Sequence, residues 1–467
     1  MKVSANLSVA RHGYYSAAFV FALYGGFLLA KILVYVSGTP FSPGWSWLVA
    51  LNVIEACGWV YWIINRHGFR FGPVLLLLPL VCALYTTIPV GLLSANLDIF
   101  PFSEGVVRRG LFMQSFMATN FWLIWCVMFS KRKSARALDK INAWLDAVSV
   151  TRVGIWLFLF SGFAIALSCL VNFYVSGAAE MVGSAIRLEL MVASETGKLW
   201  LLEYCFAAWL MACALLLNSS RARASLRLSH VLFALFVIVL FMYPYLQLGN
   251  REKVSIFIIF ACLILCVRGR AKQLAVIIGI CVPAMLYLGF TRGGSSVVSA
   301  TMAPVSFYLN LFGEFVHPHY PLLDHISSRR DLWYGWSYLR SPAVVFPSFG
   351  LWERPLSLGY QYAQTPSGVA GMGFAYTPLG EGVANYGLAA IAIVPFYLAA
   401  LGRLLASERL ITPLPFLVFV SISLGINRGE FISIILQLLI LVIALFAFLA
   451  VTRVNIEIHL WDSTKNR

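Results

Sequence analysis

Charge is what this 467-residue chain has least of: 11% of its residues are Asp, Glu, Lys or Arg. A water-soluble domain typically carries about 25%, so the polar side chains here are too few to cover a globule. A cytosolic enzyme and a disordered hub are excluded on that ground. Acid is scarcer than base, with 19 Asp+Glu against 34 Lys+Arg and a formal net charge of +15. In a soluble chain such a surplus would point to nucleic acid. No basic helix or aromatic platform stands outside the apolar stretches, so no nucleic-acid partner is expected. Positive-inside bias and attraction to membrane lipids account for the excess. Paired metal-ligand spacing is also missing: the nine cysteines fall within apolar runs, which excludes a disulfide scaffold and leaves small buried thiols. Met1 to Arg11 is not followed by a short apolar core and a small-residue cleavage site. The first apolar run is long enough to span, so it is expected to be an anchor, not a removed signal peptide.

What the chain has in quantity is apolar length, 60% of its residues being hydrophobic. Apolar windows predict twelve membrane spans near 15–37, 46–65, 72–95, 110–130, 153–175, 196–218, 230–248, 253–267, 273–290, 379–402, 411–427 and 431–452. The expected architecture is therefore an all-α, polytopic helix bundle. Residues 1–290 hold the first nine spans with basic cytoplasmic loops, 291–378 form a large ordered outer cap, and 379–467 hold the last three spans and a short cytoplasmic tail. With both termini inside, most of the cations lie on the inner face, including Lys131, Arg132, Lys133, Arg136, Arg221, Arg223, Arg268, Arg270 and Lys272. The basic stretch 131–152, with Ala137, Leu138, Ile141, Trp144 and Leu145 on one side, is expected to lie flat on the cytoplasmic leaflet. The cap is rich in Trp, Tyr and Phe, which suits an ordered interfacial layer and not a disordered loop.

Ionisable residues beside spans are costly and so are functional candidates. Arg251 in Gly249-Asn250-Arg251-Glu252, Arg292 after span nine, and Arg428 in Gly425-Ile426-Asn427-Arg428-Gly429-Glu430 all emerge at the outer face. Guanidinium groups present a planar fork suited to phosphate, so their convergence would favour a phosphate-bearing lipid. They could equally snorkel or pair with Glu252 and Glu430. A second constellation, Gly313-Glu314-Phe315-Val316-His317-Pro318-His319 with Asp324 and His325, places three of the seven histidines close together. Pro318 and Pro321 spoil helical metal spacing, so no metal site is expected. Glu314 or His317 as proton acceptor is the functional alternative to an ordered polar corner of the cap. In the third, Thr377-Pro378-Leu379-Gly380-Glu381-Gly382-Val383-Ala384-Asn385-Tyr386-Gly387, Thr377 is placed as N-cap and Pro378 as first helical residue. That helix end could hold an anion, and Glu381, one turn in, could be a base or the counter-ion of an arginine.

Taken in order, Gly-Asn-Arg before a late span, a long outer loop with Gly-Glu-Phe and Trp352-Glu353-Arg354-Pro355, the Thr-Pro-Leu-Gly-Glu helix start and Asn-Arg-Gly-Glu before the last span resemble the Wzy-type polymerases. The pattern covers about residues 245–435. The resemblance implies a glycosyltransferase with a GT-C-like build in the bacterial inner membrane, needing no metal and no cofactor. It would join undecaprenyl-diphosphate-linked oligosaccharide repeats at the periplasmic face into O-antigen, enterobacterial common antigen or exopolysaccharide. Arg251, Arg292, Arg354 and Arg428 would hold the diphosphate. Glu314, His317 and Glu381 would be the catalytic candidates, supported by Asn250, Thr377, Gly380, Asn385 and Glu430. A chain-length regulator and a flippase would be its partners. Two other readings stay open: a WaaL-type ligase using an outer-loop histidine, and a flippase or other transporter, which should carry charges at mid-membrane on broken helices.

Overall fold

The computed structural model describes residues 20–37, 41–129, 131–175, 199–248, 252–291, 304–328, 331–340, 343, 358–363, 376–407, 412–451 and 455–456. Apart from one two-residue antiparallel pairing, β1 (Val148–Ser149) with β2 (Asn455–Ile456), the elements described are helices. Helices dominate because hydrocarbon offers no water to an open backbone group, so each amide must find its partner within its own segment.

The first half of the chain runs through α1 (Val20–Val36), α2 (Phe41–Ser94), α3 (Glu104–Met128), α4 (Lys131–Ala147) and α5 (Arg152–Val175). Then come α6 (Leu199–Asn218), α7 (Ser220–Ser225), α8 (Leu228–Leu248), α9 (Glu252–Val267) and α10 (Ala271–Thr291). Helix α2 is two helices joined at Gly68, whose φ of 74° only a residue without Cβ adopts cheaply. The expected outer segment contributes α11 (Pro304–Val316), a 3-10 turn at His317–His319, α12 (Tyr320–Ser328), α13 (Trp336–Leu339) and α14 (Leu358–Ala363). The chain continues through α15 (Pro378–Tyr386), α16 (Ala390–Leu405), α17 (Leu414–Ser421), α18 (Ser423–Ile426) and α19 (Phe431–Val451).

Among the described residues, six helices are long and apolar enough to cross a membrane: Gly44–Ser94, Glu104–Met128, Arg152–Val175, Leu201–Asn218, Pro378–Leu405 and Phe431–Val451. Shorter apolar helices cover Val20–Val36, Leu228–Tyr243, Val254–Val267 and Ala271–Ala284. Large apolar side chains such as Val239, Ile280, Phe396 and Ile443 face outward, the build of a helical protein whose solvent is lipid. Inside, α3 packs on α16, α6 on α9 and α19, and α5 on α8. Trp59 stacks on Trp122 with ring centroids 6.1 Å apart, and the indoles of Trp125 and Trp209 donate to the Leu75 and Phe158 carbonyls at 2.8 and 2.9 Å. These bonds satisfy the one polar atom of the Trp125 and Trp209 rings.

Two segments differ from what the sequence predicts. Of the stretch 131–152, residues 131–147 form α4, but Ile141, Trp144 and Leu145 are buried in the protein core and not laid on a lipid leaflet. Amphipathicity announces an apolar face without saying what covers it. The window 411–427 is the short helix α17, a distortion at Ile422 (φ −85°, ψ 14°) and the one-turn α18. It falls short of the roughly 20 residues a span needs. Its residues Phe416 to Val420 are buried, packed against α9, α2 and α19, so their apolarity serves packing.

Candidate functional site

The site is assembled where α11, α13, α15 and the turn Asn427–Glu430 meet. Helix α15 starts as its sequence dictates: Thr377 is the N-cap, its hydroxyl accepting the Gly380 N–H at 2.9 Å, and Pro378 occupies the first turn. That end is buried and its cap is supplied from within, so one donor expected for an outside anion is already used. One turn on, Glu381 is 1% exposed. One carboxylate oxygen accepts from the Ser337 hydroxyl at 2.5 Å and the other from the Phe431 N–H at 2.6 Å. Asn385, a further turn along, donates to the Ser337 hydroxyl and to the Glu381 carbonyl, each at 2.8 Å. Gly382 makes this packing possible: a Cβ there would lie 2.5 Å from Val394, so α15 could not fold back against α16. Gly387, at φ 59°, turns the chain between the two helices.

The turn before α19 carries the second half. Glu430 is buried and accepts the Leu358 N–H at 2.8 Å. Burial pushes its carboxyl up to about 7, helped by the nearby Glu381 charge and opposed by the Leu358 N–H, Arg340 and Ser433. Two residues earlier, Arg428 forms an ion pair with Glu314 of α11, the two side chains 27% and 19% exposed. These are the half-open charges of the site. On the Glu381 side, Tyr338 stacks on Tyr386 at 5.8 Å and meets Phe431 edge-on at 5.3 Å.

Three sequence motifs far apart in the chain thus converge: Gly313–His317, Thr377–Asn385 and Asn427–Glu430. Glu314, Glu381, Arg428, Thr377, Gly380, Asn385 and Glu430 are brought together. Arg251, Asn250, Arg292 and Arg354 lie outside the described residues. Two geometric expectations are corrected. Glu314, placed by the sequence in a constellation separate from the arginines, is held directly against Arg428, because α11 packs beside α2 and α10. Glu381, expected as a base or the counter-ion of an arginine, has its two oxygens on Ser337 and the Phe431 amide, with the Arg340 charge close by. These bonds join α13 and α15 to the start of α19.

The three histidines separate. His317 lies over Gly313, where a Cβ would come within 2.8 Å of its Nε2, and shares a helix turn with Glu314. His319 is fully buried near Phe100, and burial holds its imidazole down at about 4, hence neutral. His325 meets Trp333 edge-on at 6.2 Å. Among the described residues no three His, Cys, Asp or Glu gather as a metal site. Ser337, Tyr338 and Arg340 were not singled out by sequence. Their only signal was the aromatic density of Trp333–Arg340, which a cap of many aromatics does not distinguish. No protein-family model, no curated protein and no solved structure matches this chain.

Proposed function

We propose that the chain is a membrane glycosyltransferase that polymerises undecaprenyl-diphosphate-linked oligosaccharide repeats at the periplasmic face of a bacterial inner membrane, within a polytopic helix bundle. The observation that supports it is the half-open Arg428–Glu314 pair beside two buried carboxylates, Glu381 and Glu430. A diphosphate leaving group needs cations, and an acceptor hydroxyl needs a base. In the resting protein each of these two groups occupies the other. The donor diphosphate would take Arg428, with Arg340 nearby, and release Glu314. The freed carboxylate then accepts the proton of the acceptor hydroxyl as its oxygen bonds to the anomeric carbon. The bond from that carbon to the diphosphate breaks, and undecaprenyl diphosphate departs with the electron pair. His317, a turn away, is placed to orient Glu314 or pass the proton on.

Purified protein in lipid nanodiscs, given an undecaprenyl-diphosphate-linked repeat unit, should yield a ladder of longer lipid-linked glycans together with undecaprenyl diphosphate. Transfer only to a lipid A core acceptor would instead establish a ligase. A second reading, transport of the lipid-linked glycan, draws support from the buried Lys31–Glu55 pair between membrane helices and from the distorted helix at Ile422. Movement of the repeat across vesicles without any change in its length would favour that reading and overturn the first.

A further inference from the structure

Away from the proposed site, at the end of the bundle where α4 lies, the corner between α6 and α7 faces the corner between α9 and α10 across a cavity of about 510 Å³. The two corners are built by local rules. Ser219 caps α7 by accepting the Ala222 N–H at 3.2 Å, which turns the chain after Asn218 and swings Arg223 over the opening. Gly269, at φ 68°, turns α9 into α10 and brings Arg270 and Lys272 to the same opening. Arg268 ties the corners together, donating to Asp146 at 2.7 Å and to the Asn218 carbonyl at 3.1 Å. Arg270 donates to the Asn218 side-chain oxygen at 3.0 Å.

The charge at the opening is unbalanced. Asp146 neutralises Arg268, while among the described residues Arg223, Arg270 and Lys272 have no carboxylate partner. Burial, then the Arg223 and Arg268 charges, lower the Arg270 guanidinium from its ordinary value. Apart from Gln273, the remaining wall is apolar: Leu217, Leu265, Val276 and Ile277. Val276 begins an outward face of α10 that continues through Ile280, both exposed. A soluble anion would gain nothing from that wall, and a zwitterionic lipid would leave the cations uncompensated. A molecule with a phosphodiester at one end and a hydrocarbon chain at the other matches both parts.

We propose that this cavity binds an anionic phospholipid, its phosphate held by Arg223, Arg270 and Lys272 and an acyl chain lying along Val276 and Ile280 of α10. The proposal is independent of the polymerase reading. The test is native mass spectrometry of the full chain in detergent with added phosphatidylglycerol, phosphatidylcholine or inorganic phosphate. Wild-type protein should retain phosphatidylglycerol well above phosphatidylcholine and should not retain phosphate. Arg223→Gln with Lys272→Gln should weaken that retention roughly tenfold or more. Arg152→Gln with Arg403→Gln, which removes the same charge elsewhere, should not. Val276→Trp, which fills the apolar end and leaves every cation in place, should also reduce retention. Equal retention by the Arg223/Lys272 variant, or an equal loss in the Arg152/Arg403 control, overturns the proposal. Displacement of the lipid by inorganic phosphate alone would overturn it in favour of a soluble-anion site.

Discussion

The Lys31–Glu55 and Arg428–Glu314 pairs are chemically alike and physically opposite. Lys31 and Glu55 are sealed, their side chains 0% and 3% exposed and 2.5 Å apart, with Lys31 also donating to Thr119 at 2.8 Å and to the Ser115 carbonyl at 3.4 Å. Three helices, α1, α2 and α3, supply these groups, and a Ser115–Asn52 hydrogen bond at 2.8 Å extends the polar seam. Arg428 and Glu314 are each about a quarter open to the surroundings. A sealed pair has no other partner to take, so its energy goes into fixing helices against one another. A half-open pair can exchange one partner for a ligand at modest cost. Position, not residue type, separates a structural charge from a reactive one.

The largest effect should come from opening the sealed pair. Lys31→Met alone would strand a carboxylate among packed helices, and breaking one side of a buried pair typically costs about 3–5 kcal/mol. The variant should accumulate poorly and unfold early in detergent, as followed by thermal unfolding on size-exclusion chromatography. Lys31→Met with Glu55→Leu removes both charges and should recover most of the lost stability. A single Lys31→Met that stays as stable as wild type but loses function would erase the contrast between the two pairs and strengthen the transport reading.

That contrast was only half legible in the sequence. Helices were readable because apolar runs of spanning length leave few alternatives, and the start of α15 was readable because Thr377-Pro378 is a local signal. Lys31 could be placed inside the first span, but nothing in Glu55's own surroundings names its partner, which lies on another helix. The same limit hid Glu314 from Arg428, since packing of α11 on the bundle brings them together and no local pattern records it. The segment 411–427 failed for a different reason: a hydropathy window sums apolarity and is blind both to the distortion at Ile422 and to whether lipid or protein covers the side chains.

Changes at the half-open pair should alter function more than stability. Arg428→Ala should weaken binding of the lipid diphosphate by about 1.5–3 kcal/mol, the usual worth of a charge-assisted contact. Arg428→Lys should remain impaired because the planar fork is lost. Glu314→Gln should leave Arg428 easier to capture, so donor binding is kept or tightened while linkage formation stops. Separate measurement of donor binding and of product ladders distinguishes these outcomes. Weaker donor binding in Glu314→Gln would mean that this carboxylate positions Arg428 and does not compete for it.

The smallest expected effect belongs to Glu430, which joins the two regimes: it is as buried as the sealed pair yet sits two residues from Arg428. Its carboxyl is pushed from an ordinary 4.5 up to about 7, first by burial. A raised pKa in the folded chain means that the folded state binds the proton more tightly than the unfolded one. Its stabilising contribution is therefore full below about 4.5 and is lost as the pH rises through about 7. Glu430→Gln keeps a neutral acceptor for the Leu358 N–H and removes the titration. Between about pH 5 and about pH 8 the unfolding temperature of wild type should fall by about 1–2 °C more than that of the variant. The sign matters more than the size, because a carboxylate stabilised by Arg340 or Arg428 would give the reverse slope. If Glu430→Gln instead steepens the fall with rising pH, the carboxylate is ionised in the folded protein and belongs with Arg340 and Arg428, not with the sealed charges of the core.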